Sequence, residues 1–141
     1  MAKSRPSGAR RKADVGLLRD PAEDIKILRK EIREFAIKKF AGTSVSNSDS
    51  GMEIKITSKG IKEATSGFRR AEELQAVKKL PQMLKRAKYK GSEANLKKNP
   101  GVKQYHIFES ALTVNSVKYN YTLKIRELQD GNYFYDSYTK K

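Results

Sequence analysis

The chain has 141 residues, of which 37% are hydrophobic, and a formal net charge of +15 with no cysteine. The length fits one domain with a modest core, and no apolar run is long enough to span a membrane. The lack of cysteine excludes a disulfide framework, a thiolate metal site and a cysteine nucleophile. The basic N-terminus has no apolar stretch behind it, so we expect no signal peptide.

The positive charge is clustered rather than spread evenly. Residues 1–12 hold five Lys or Arg and no acid, and residues 78–103 hold nine against the single Glu93. A polyanion is the natural partner: nucleic acid first, an anionic membrane second and an acidic protein third. The clustering favours nucleic acid over surface charge that only keeps the protein soluble. We expect no membrane partner.

In chain order, residues 1–18 have the composition of a disordered basic arm. Residues 19–42 predict an amphipathic helix with Asp20 as N-cap and Pro21 at the first helical position, ending at Gly42. Its polar faces carry many charges, which is more typical of the outside of a packed helix than of a recognition helix.

The remainder, residues 43–141, predicts one α+β domain. Residues 43–50 resemble a polar linker, and residues 52–57 alternate as a short strand. Residues 59–62 turn the chain toward a helical region that extends to Ala87, with a kink or a break into two helices at Pro81. Residues 89–103 read as a connection rich in Lys, Asn and Gly.

Three consecutive strands are predicted at the end of the chain, over residues 104–114, 117–128 and 133–138. Asn115-Ser116 and Asp130-Gly131 supply the turns. The expected architecture is therefore α+β, with helices packed on one face of a small antiparallel sheet.

Register arithmetic assigns side chains to the two faces of this meander. If Asn115-Ser116 is a two-residue loop, Phe108 pairs with Leu123 and His106 with Ile125 on the covered face. The open face then holds Tyr105 beside Arg126 and Ile107 beside Lys124. Across the second turn, we expect Leu128 opposite Tyr133, Arg126 opposite Tyr135 and Lys124 opposite Ser137.

The open face can be interpreted in two ways. Arg126 and Lys124 suit phosphate oxygens, tyrosines can stack on a base, and Glu109 is a conceivable general base. The alternative is an ordinary solvated sheet face with cross-strand cation–π and charge pairs.

His106, the only histidine, is the usual type of acid or base near neutral pH. The register nevertheless turns it toward the helices, where a lone histidine is more often a hydrogen-bonded core or strand-end residue. Its place at the start of the strand leaves a catalytic role open, since a small bulge would turn it to the other face. Lys59, Lys62 and Ser66 could contact phosphate, although such residues are more often only solvated. No metal-ligand spacing or phosphate-binding glycine loop is present, so we expect no cofactor and no metal.

Several short motifs together resemble a known group of domains. They are Asn47 and Gly51 followed by Ile54 and Ile56; Lys-Gly-Ile-Lys at 59–62 with Thr-Ser at 65–66; Leu-Pro-x-x-Leu at 80–84; Tyr-His-x-Phe at 105–108; Tyr-x-x-x-Leu-x-Ile-Arg at 119–126; and Gly-x-Tyr-x-Tyr-Asp at 131–136. This pattern resembles domains associated with large phage and mobile-element polyvalent proteins, placed within the barnase–EndoU–colicin–RelE-like nuclease superfamily.

The resemblance implies helices on one side of the sheet, RNA on the other, and metal-independent cleavage through attack by the 2′-hydroxyl. It also implies a cytoplasmic location, or a virion-associated protein delivered to the bacterial cytoplasm, and an acidic inhibitor as a further partner. Carried onto matching positions, it assigns catalysis to His106, Arg126, Tyr135, Lys62 and Ser66.

Two hypotheses follow, a phage or toxin-type ribonuclease and a non-enzymatic, basic nucleic-acid-binding protein with a coating or virion-internal role. RNA is favoured over DNA in both. The predicted nucleic-acid-binding residues are Tyr105, Lys124, Lys59, Arg126, Lys85, Arg86, Lys88, Lys90, Arg10, Arg11 and Lys12.

Overall fold

Four helices and six strands are present in the computed structural model, which describes residues 21–67 and 69–140. The helices are α1 (Pro21–Phe40), α2 (Ser58–Ala64), α3 (Ala71–Val77) and α4 (Leu80–Arg86). The strands are β1 (Ser44–Ser46), β2 (Glu53–Lys55), β3 (Lys88–Ala94), β4 (Val102–Val114), β5 (Val117–Leu128) and β6 (Tyr133–Lys140). The predicted α+β class is confirmed.

Helix α1 matches the amphipathic pattern of the sequence. Ile32 and Ala36 are buried against the domain, while the charged faces point outward. The helix ends before Gly42, whose φ of 85° is accessible to glycine at little cost. Asp20, the predicted N-cap, and the predicted arm at residues 1–18 lie outside the described residues.

The predicted linker at residues 43–50 was wrong, because the chain forms a β-hairpin there. Strand β1 pairs antiparallel with β2. The turn between them is organised by Asn47, whose side-chain oxygen accepts the backbone N–H groups of Asp49 and Ser50. A short strand with one apolar residue, Val45, offers too little alternation to be recognised in the sequence.

Helix α2 begins one residue before the predicted turn, so residues 59–62 are helical. Thr57 caps the helix by accepting the N–H of Gly60 at 3.1 Å. The break at Pro81 is confirmed, since α3 ends at Val77 and Pro81 lies in the first turn of α4, where its missing N–H costs nothing.

The sheet contains more strands than predicted, in the order β1-β2-β6-β5-β4-β3. Only the β2–β6 pair is parallel among the described strands. The predicted connection at residues 89–103 was wrong in its first half, where β3 pairs with β4. A bulge near Gly91, with a φ of 135°, interrupts the alternation that would have revealed this strand.

The β4–β5 register is confirmed in every predicted pair, including Phe108 with Leu123 and Tyr105 with Arg126. The β5–β6 register is correct only at Lys124 and Ser137. Tyr133 pairs with Glu127 rather than Leu128, and a bulge at Asp136 restores the predicted alignment. Between these two points the residue opposite Arg126 is Phe134, not Tyr135.

The helices cover one face of the sheet and the core lies between them. This covered face contributes Phe108, Tyr121, Leu123, Ile125, Tyr135 and Tyr138, all at most 3% exposed. The opposite, open face carries half-buried polar and charged side chains. No helix among the described residues combines the length and the apolar character needed to cross a membrane.

Candidate nucleic-acid interface

A cleft of about 540 Å³ lies where the open face meets helix α2 and the β3–β4 loop. Its lining contains three cationic side chains, Lys59, Arg69 and Arg126, and two acidic ones, Glu63 and Asp136. Strand β2 pairs with β6 only at Tyr133 and Phe134. Helix α2 contacts β6 and brings Lys59 next to the sheet residues that line the cleft. The sequence-distant cations therefore share one concave surface.

Arg126 is held in place while keeping donors available. Its Nη1 lies 3.3 Å from the carbonyl oxygen of Tyr135 and 3.5 Å from Oδ1 of Asp136. The guanidinium lies over the ring of Phe134, 5.1 Å from the ring centroid. Nε and Nη2 make no hydrogen bond to a described residue, so three N–H donors of the planar fork remain for an anionic ligand.

Arg69 contributes a fixed charge to the cleft. Its Nη1 lies 3.3 Å both from Oε2 of Glu73 and from the carbonyl oxygen of Tyr138, and the guanidinium lies over the Tyr138 ring at 4.4 Å. Lys59 makes no ion pair with a described residue. The cleft thus combines two cations held by protein contacts, Arg69 and Arg126, with Lys59, which has no such ion pair.

Tyr105 lies on the open face as predicted, yet it is only 8% exposed. Lys124 Nζ covers one side of its ring, 4.8 Å from the centroid, and Asn99 donates a hydrogen bond to its hydroxyl. A base cannot stack on a ring that is covered in this way. Tyr105 instead fixes the β3–β4 loop and the position of Lys124.

The cations continue from the cleft along the open face to the edge strand β3. Lys124 lies two residues before Arg126 on β5 and on the same face, and its Nζ is 3.4 Å from Oε1 of Glu93. On β3, the Nζ of Lys90 lies 3.9 Å from Oε1 of Glu109. A second concave region of about 370 Å³, lined by Lys88, Lys90 and Glu109, follows. We call Lys59, Arg69, Arg126, Lys124, Lys90 and Lys88 the cationic track.

The track is a continuous surface because of the strand register. Tyr105 and Glu109 mark its two ends on β4, and their separation of four residues corresponds to roughly 13 Å. Cation–π and charge pairs do occur along it, as the alternative interpretation of the open face predicted. These contacts position the cations without neutralising all of them, since Lys59 and Lys88 have no ion pair with a described residue.

His106 lies on the covered face, as the register predicted, and is therefore separate from Arg126. Its Nε2 is 2.8 Å from Oε1 of Glu127 and its Nδ1 is 2.9 Å from the hydroxyl of Tyr89. The imidazole is 6% exposed, and the ring of Tyr133 packs edge-on against it. His106 thus joins β3, β4 and β5 at one end of the sheet.

The partners of His106 determine which ring nitrogen carries the proton. Glu127 can only accept when ionised, so Nε2–H donates to it and Nδ1 accepts from Tyr89 in the neutral ring. Hydrogen bonds from His106 and Gln104 lower the pKa of Glu127, as does the charge of Lys103. Both ring nitrogens are occupied, so a substrate would have to displace a partner before His106 could act as a base.

Tyr135 was predicted opposite Arg126 on the open face, and this position was wrong. The bulge at Asp136 and the longer hairpin loop turn Tyr135 into the core, where it is 0% exposed. Its hydroxyl has no hydrogen-bond partner among the described residues, and burial raises its pKa well above the ordinary value. In this position it cannot reach a ligand in the cleft.

Lys62 and Ser66 lie outside the cleft, beside α1. Arg33 donates to the carbonyl oxygen of Lys62 and to the Ser66 hydroxyl, both at 3.3 Å, and Ser66 itself donates to the Lys62 carbonyl. These contacts fasten α1 to α2. The Lys62 side chain is exposed on that outer surface.

The remaining basic candidates are dispersed. Lys85 and Arg86 lie at the end of α4, and Arg86 lines a separate concave region beside β4. Arg10, Arg11 and Lys12 lie outside the described residues. The place of Arg69 in the cleft and the pairing of Glu127 with His106 were not predicted. The pairing of Glu127 with His106 could have been predicted, because Glu127 occupies a covered-face position two residues after Ile125.

No three His, Asp or Glu side chains among residues 21–67 and 69–140 are arranged to hold a metal ion. In comparison with known families, residues 23–135 match the large polyvalent protein-associated domain 3. The chain belongs to this family. The match runs from the first turn of α1 into β6, so the polyvalent-protein context expected from the short motifs is confirmed. No curated protein and no solved structure matches the chain significantly.

Proposed function

We propose that this domain binds single-stranded RNA along the cationic track. The observation that carries the proposal is the convergence of Lys59, Arg69 and Arg126 on one cleft, followed by further lysines on the same sheet face. Phosphate contacts from Lys and Arg supply sequence-independent affinity for nucleic acid. A sheet face without a protruding helix suits a flexible single strand better than a duplex groove.

Arg126 has the central role in this proposal. It stands between the cleft and Lys124, and its fork has donors directed away from the protein partners that fix it. A bidentate contact with a phosphate would use those donors. The resemblance to the nuclease superfamily adds RNA, rather than DNA, as the expected polymer.

The proposal is tested by fluorescence anisotropy with a labelled single-stranded RNA. Arg126→Ala should weaken binding about tenfold or more, since hydrogen bonds to charged groups contribute about 1.5–3 kcal/mol each. Lys30→Ala is the matched control, because it removes one exposed charge from α1, away from the track. Equal losses of RNA affinity in the two variants would contradict a defined track. Parallel titrations with single-stranded DNA and duplex DNA establish which polymer is preferred.

Metal-independent cleavage of the bound RNA is a second candidate function. The observation in its favour is Glu109, a carboxylate on the track whose Oε1 lies 3.9 Å from Lys90 Nζ. Glu109 would take the 2′-hydroxyl proton, the 2′-oxygen would form a bond to phosphorus, and the 5′-oxygen would leave and take a proton from solvent. Lys90 and Lys124 would stabilise the added negative charge on the phosphate.

Cleavage is tested by incubating RNA with the protein in EDTA and analysing the ends for 2′,3′-cyclic phosphate. Glu109→Gln should abolish cleavage while RNA binding is retained. His106→Ala should leave the activity per folded molecule largely unchanged, since His106 faces the other side of the sheet. Loss of cleavage in His106→Ala but not in Glu109→Gln would overturn this assignment and restore the role that the motif resemblance implies.

A further inference from the structure

Strand β4 extends beyond its neighbour β3. The β3–β4 ladder ends at the pair Lys88 and Glu109, whereas β4 continues to Val114 and remains paired with β5 through Val114 and Val117. Residues 110–114 therefore have a strand neighbour on one side only within the described part of the chain. We call this segment the open edge.

The hairpin turn determines which backbone groups the open edge presents. Asn115 and Ser116 have φ values of 52° and 67°, as a type I′ two-residue turn requires. Val114 and Val117 are then a hydrogen-bonded pair, and hydrogen-bonded pairs recur at every second residue. The N–H and C=O groups of Ala111 and Thr113 consequently point away from β5.

These outward groups have no other partner within the described residues. Neither Ala111 nor Thr113 takes part in a turn, loop or side-chain hydrogen bond, and both residues are exposed. Two donors and two acceptors thus stand at the spacing of a β-strand. Such a row is a template for pairing with another extended chain.

The surroundings of the open edge are cationic. A concave region of about 350 Å³ beside it is lined by Lys79, Gln82, Met83, Arg86 and residues 110–113, and contains no acidic side chain. Lys79 and Arg86 make no ion pair with a described residue. Two unpaired cations and the half-buried Leu112 side chain favour an occupant that has acidic and apolar residues.

We infer that the open edge docks an extended acidic segment of a partner protein, which adds to the sheet as a strand beside β4. A second copy of this chain fits less well, because pairing two open edges would bring Lys79 and Arg86 of both copies together. Nucleic acid has no alternating peptide N–H and C=O groups to match Ala111 and Thr113. The charges invoked here differ from those proposed for RNA, since neither Lys79 nor Arg86 belongs to the cationic track, although Ala111 also borders the concave region lined by Lys88 and Lys90.

The first experiment uses a blocked peptide of about seven alternating glutamate and valine residues, the length of an ordinary strand. Isothermal titration should detect binding to the full chain, weakened by salt. Hydrogen exchange followed by NMR should show slower exchange of the Ala111 and Thr113 amides with the peptide present. The same peptide with lysine in place of glutamate should not bind.

The second experiment separates edge pairing from simple charge attraction. Thr113→Pro removes an outward N–H without touching the β4–β5 ladder and should weaken peptide binding at least tenfold. Thr113→Val, which keeps the N–H group, should bind like the wild type. If Thr113→Pro proves unstable, Ala111→Pro makes the same test two residues away.

Several outcomes would overturn the inference. The first is that the acidic peptide does not bind, and the second is that the Thr113→Pro and Thr113→Val variants bind it with equal affinity. The third is that RNA, rather than the peptide, slows the exchange of the Ala111 and Thr113 amides. A dimer of the chain that Thr113→Pro dissociates would assign the edge to a second copy instead.

Discussion

Asn47 shows how a single polar residue can fix several segments of this domain. It is 1% exposed, its amide nitrogen donates to the carbonyl oxygens of Leu84 and Ala87, and its side-chain oxygen accepts from the β1–β2 turn. It thereby connects that turn to the end of α4. The two carbonyl groups it satisfies would otherwise be buried without partners.

Asn47→Ala should therefore destabilise the fold by about 2 kcal/mol or more, because unsatisfied buried acceptors keep their desolvation cost. Asn120→Ala is the control, since Asn120 is exposed on β5 and should change stability by no more than about 0.5 kcal/mol. Urea unfolding of the two variants gives the comparison. Equal midpoints would show that the turn is held by other contacts.

Glu127 gives a prediction about pH. Its pKa is lowered in the folded protein, chiefly by the hydrogen bond from His106. A lowered folded-state pKa stabilises the protein above the unfolded-state pKa, near 4.5, and this contribution is lost as the pH falls through the lower folded value. The stability advantage of the wild type over Glu127→Gln should thus shrink on going from about pH 7 to about pH 3. Urea midpoints measured across this range check it, and a constant difference would contradict it.

At the scale of elements, α2 can lie against β6 because it contains Gly60. A Cβ atom at this position would come within 3.2 Å of the Tyr135 ring and 3.3 Å of the Tyr135 carbonyl oxygen. This close approach of α2 to β6 places Lys59 at the cleft. The cleft therefore depends on Gly60, although glycine is unfavourable inside a helix.

Gly60→Val should destabilise the protein by about 1–3 kcal/mol, because a branched side chain must displace the buried Tyr135. Lys62→Val puts the same side chain at an exposed position of the same helix and should have a much smaller effect. Thermal unfolding by circular dichroism distinguishes them. Equal transition temperatures would mean that α2 can move away from β6 without cost.

At the scale of the whole molecule, the excess charge predicts how RNA affinity depends on salt. Each phosphate neutralised on a single strand contributes about −0.7 to the slope of log affinity against log salt. Alanine at Lys59, Lys90, Lys124 and Arg126 together should therefore reduce the magnitude of the slope by about 3. Anisotropy titrations at several salt concentrations measure it, and an unchanged slope would show that other basic residues hold the RNA. Deletion of residues 1–18 should lower the affinity further if the predicted arm takes part.

The helix at α1, the break at Pro81 and the whole β4–β5 register could be predicted from the sequence, because each depends on neighbouring residues. Periodicity, a proline and a two-residue turn act over a few positions and need no tertiary context. The hairpin β1–β2 and strand β3 could not be predicted, since β1 has one apolar residue and a bulge breaks the alternation of β3. Their strand character comes from pairing with the strands that follow them, β2 and β4, and does not show in their own alternation.

The sequence by itself determined that the domain is basic, α+β and equipped with an open sheet face bearing Arg126 and Lys124. Only the tertiary structure decided which residues meet there. One bulge at Asp136 separates Ser137, which keeps the predicted pairing, from Tyr135, which lies in the core, because an inserted residue reverses side-chain direction on one side of the bulge relative to the other. Contacts between α2, the β3–β4 loop and the sheet brought Lys59, Arg69 and Arg126 into one cleft and left His106 on the other side.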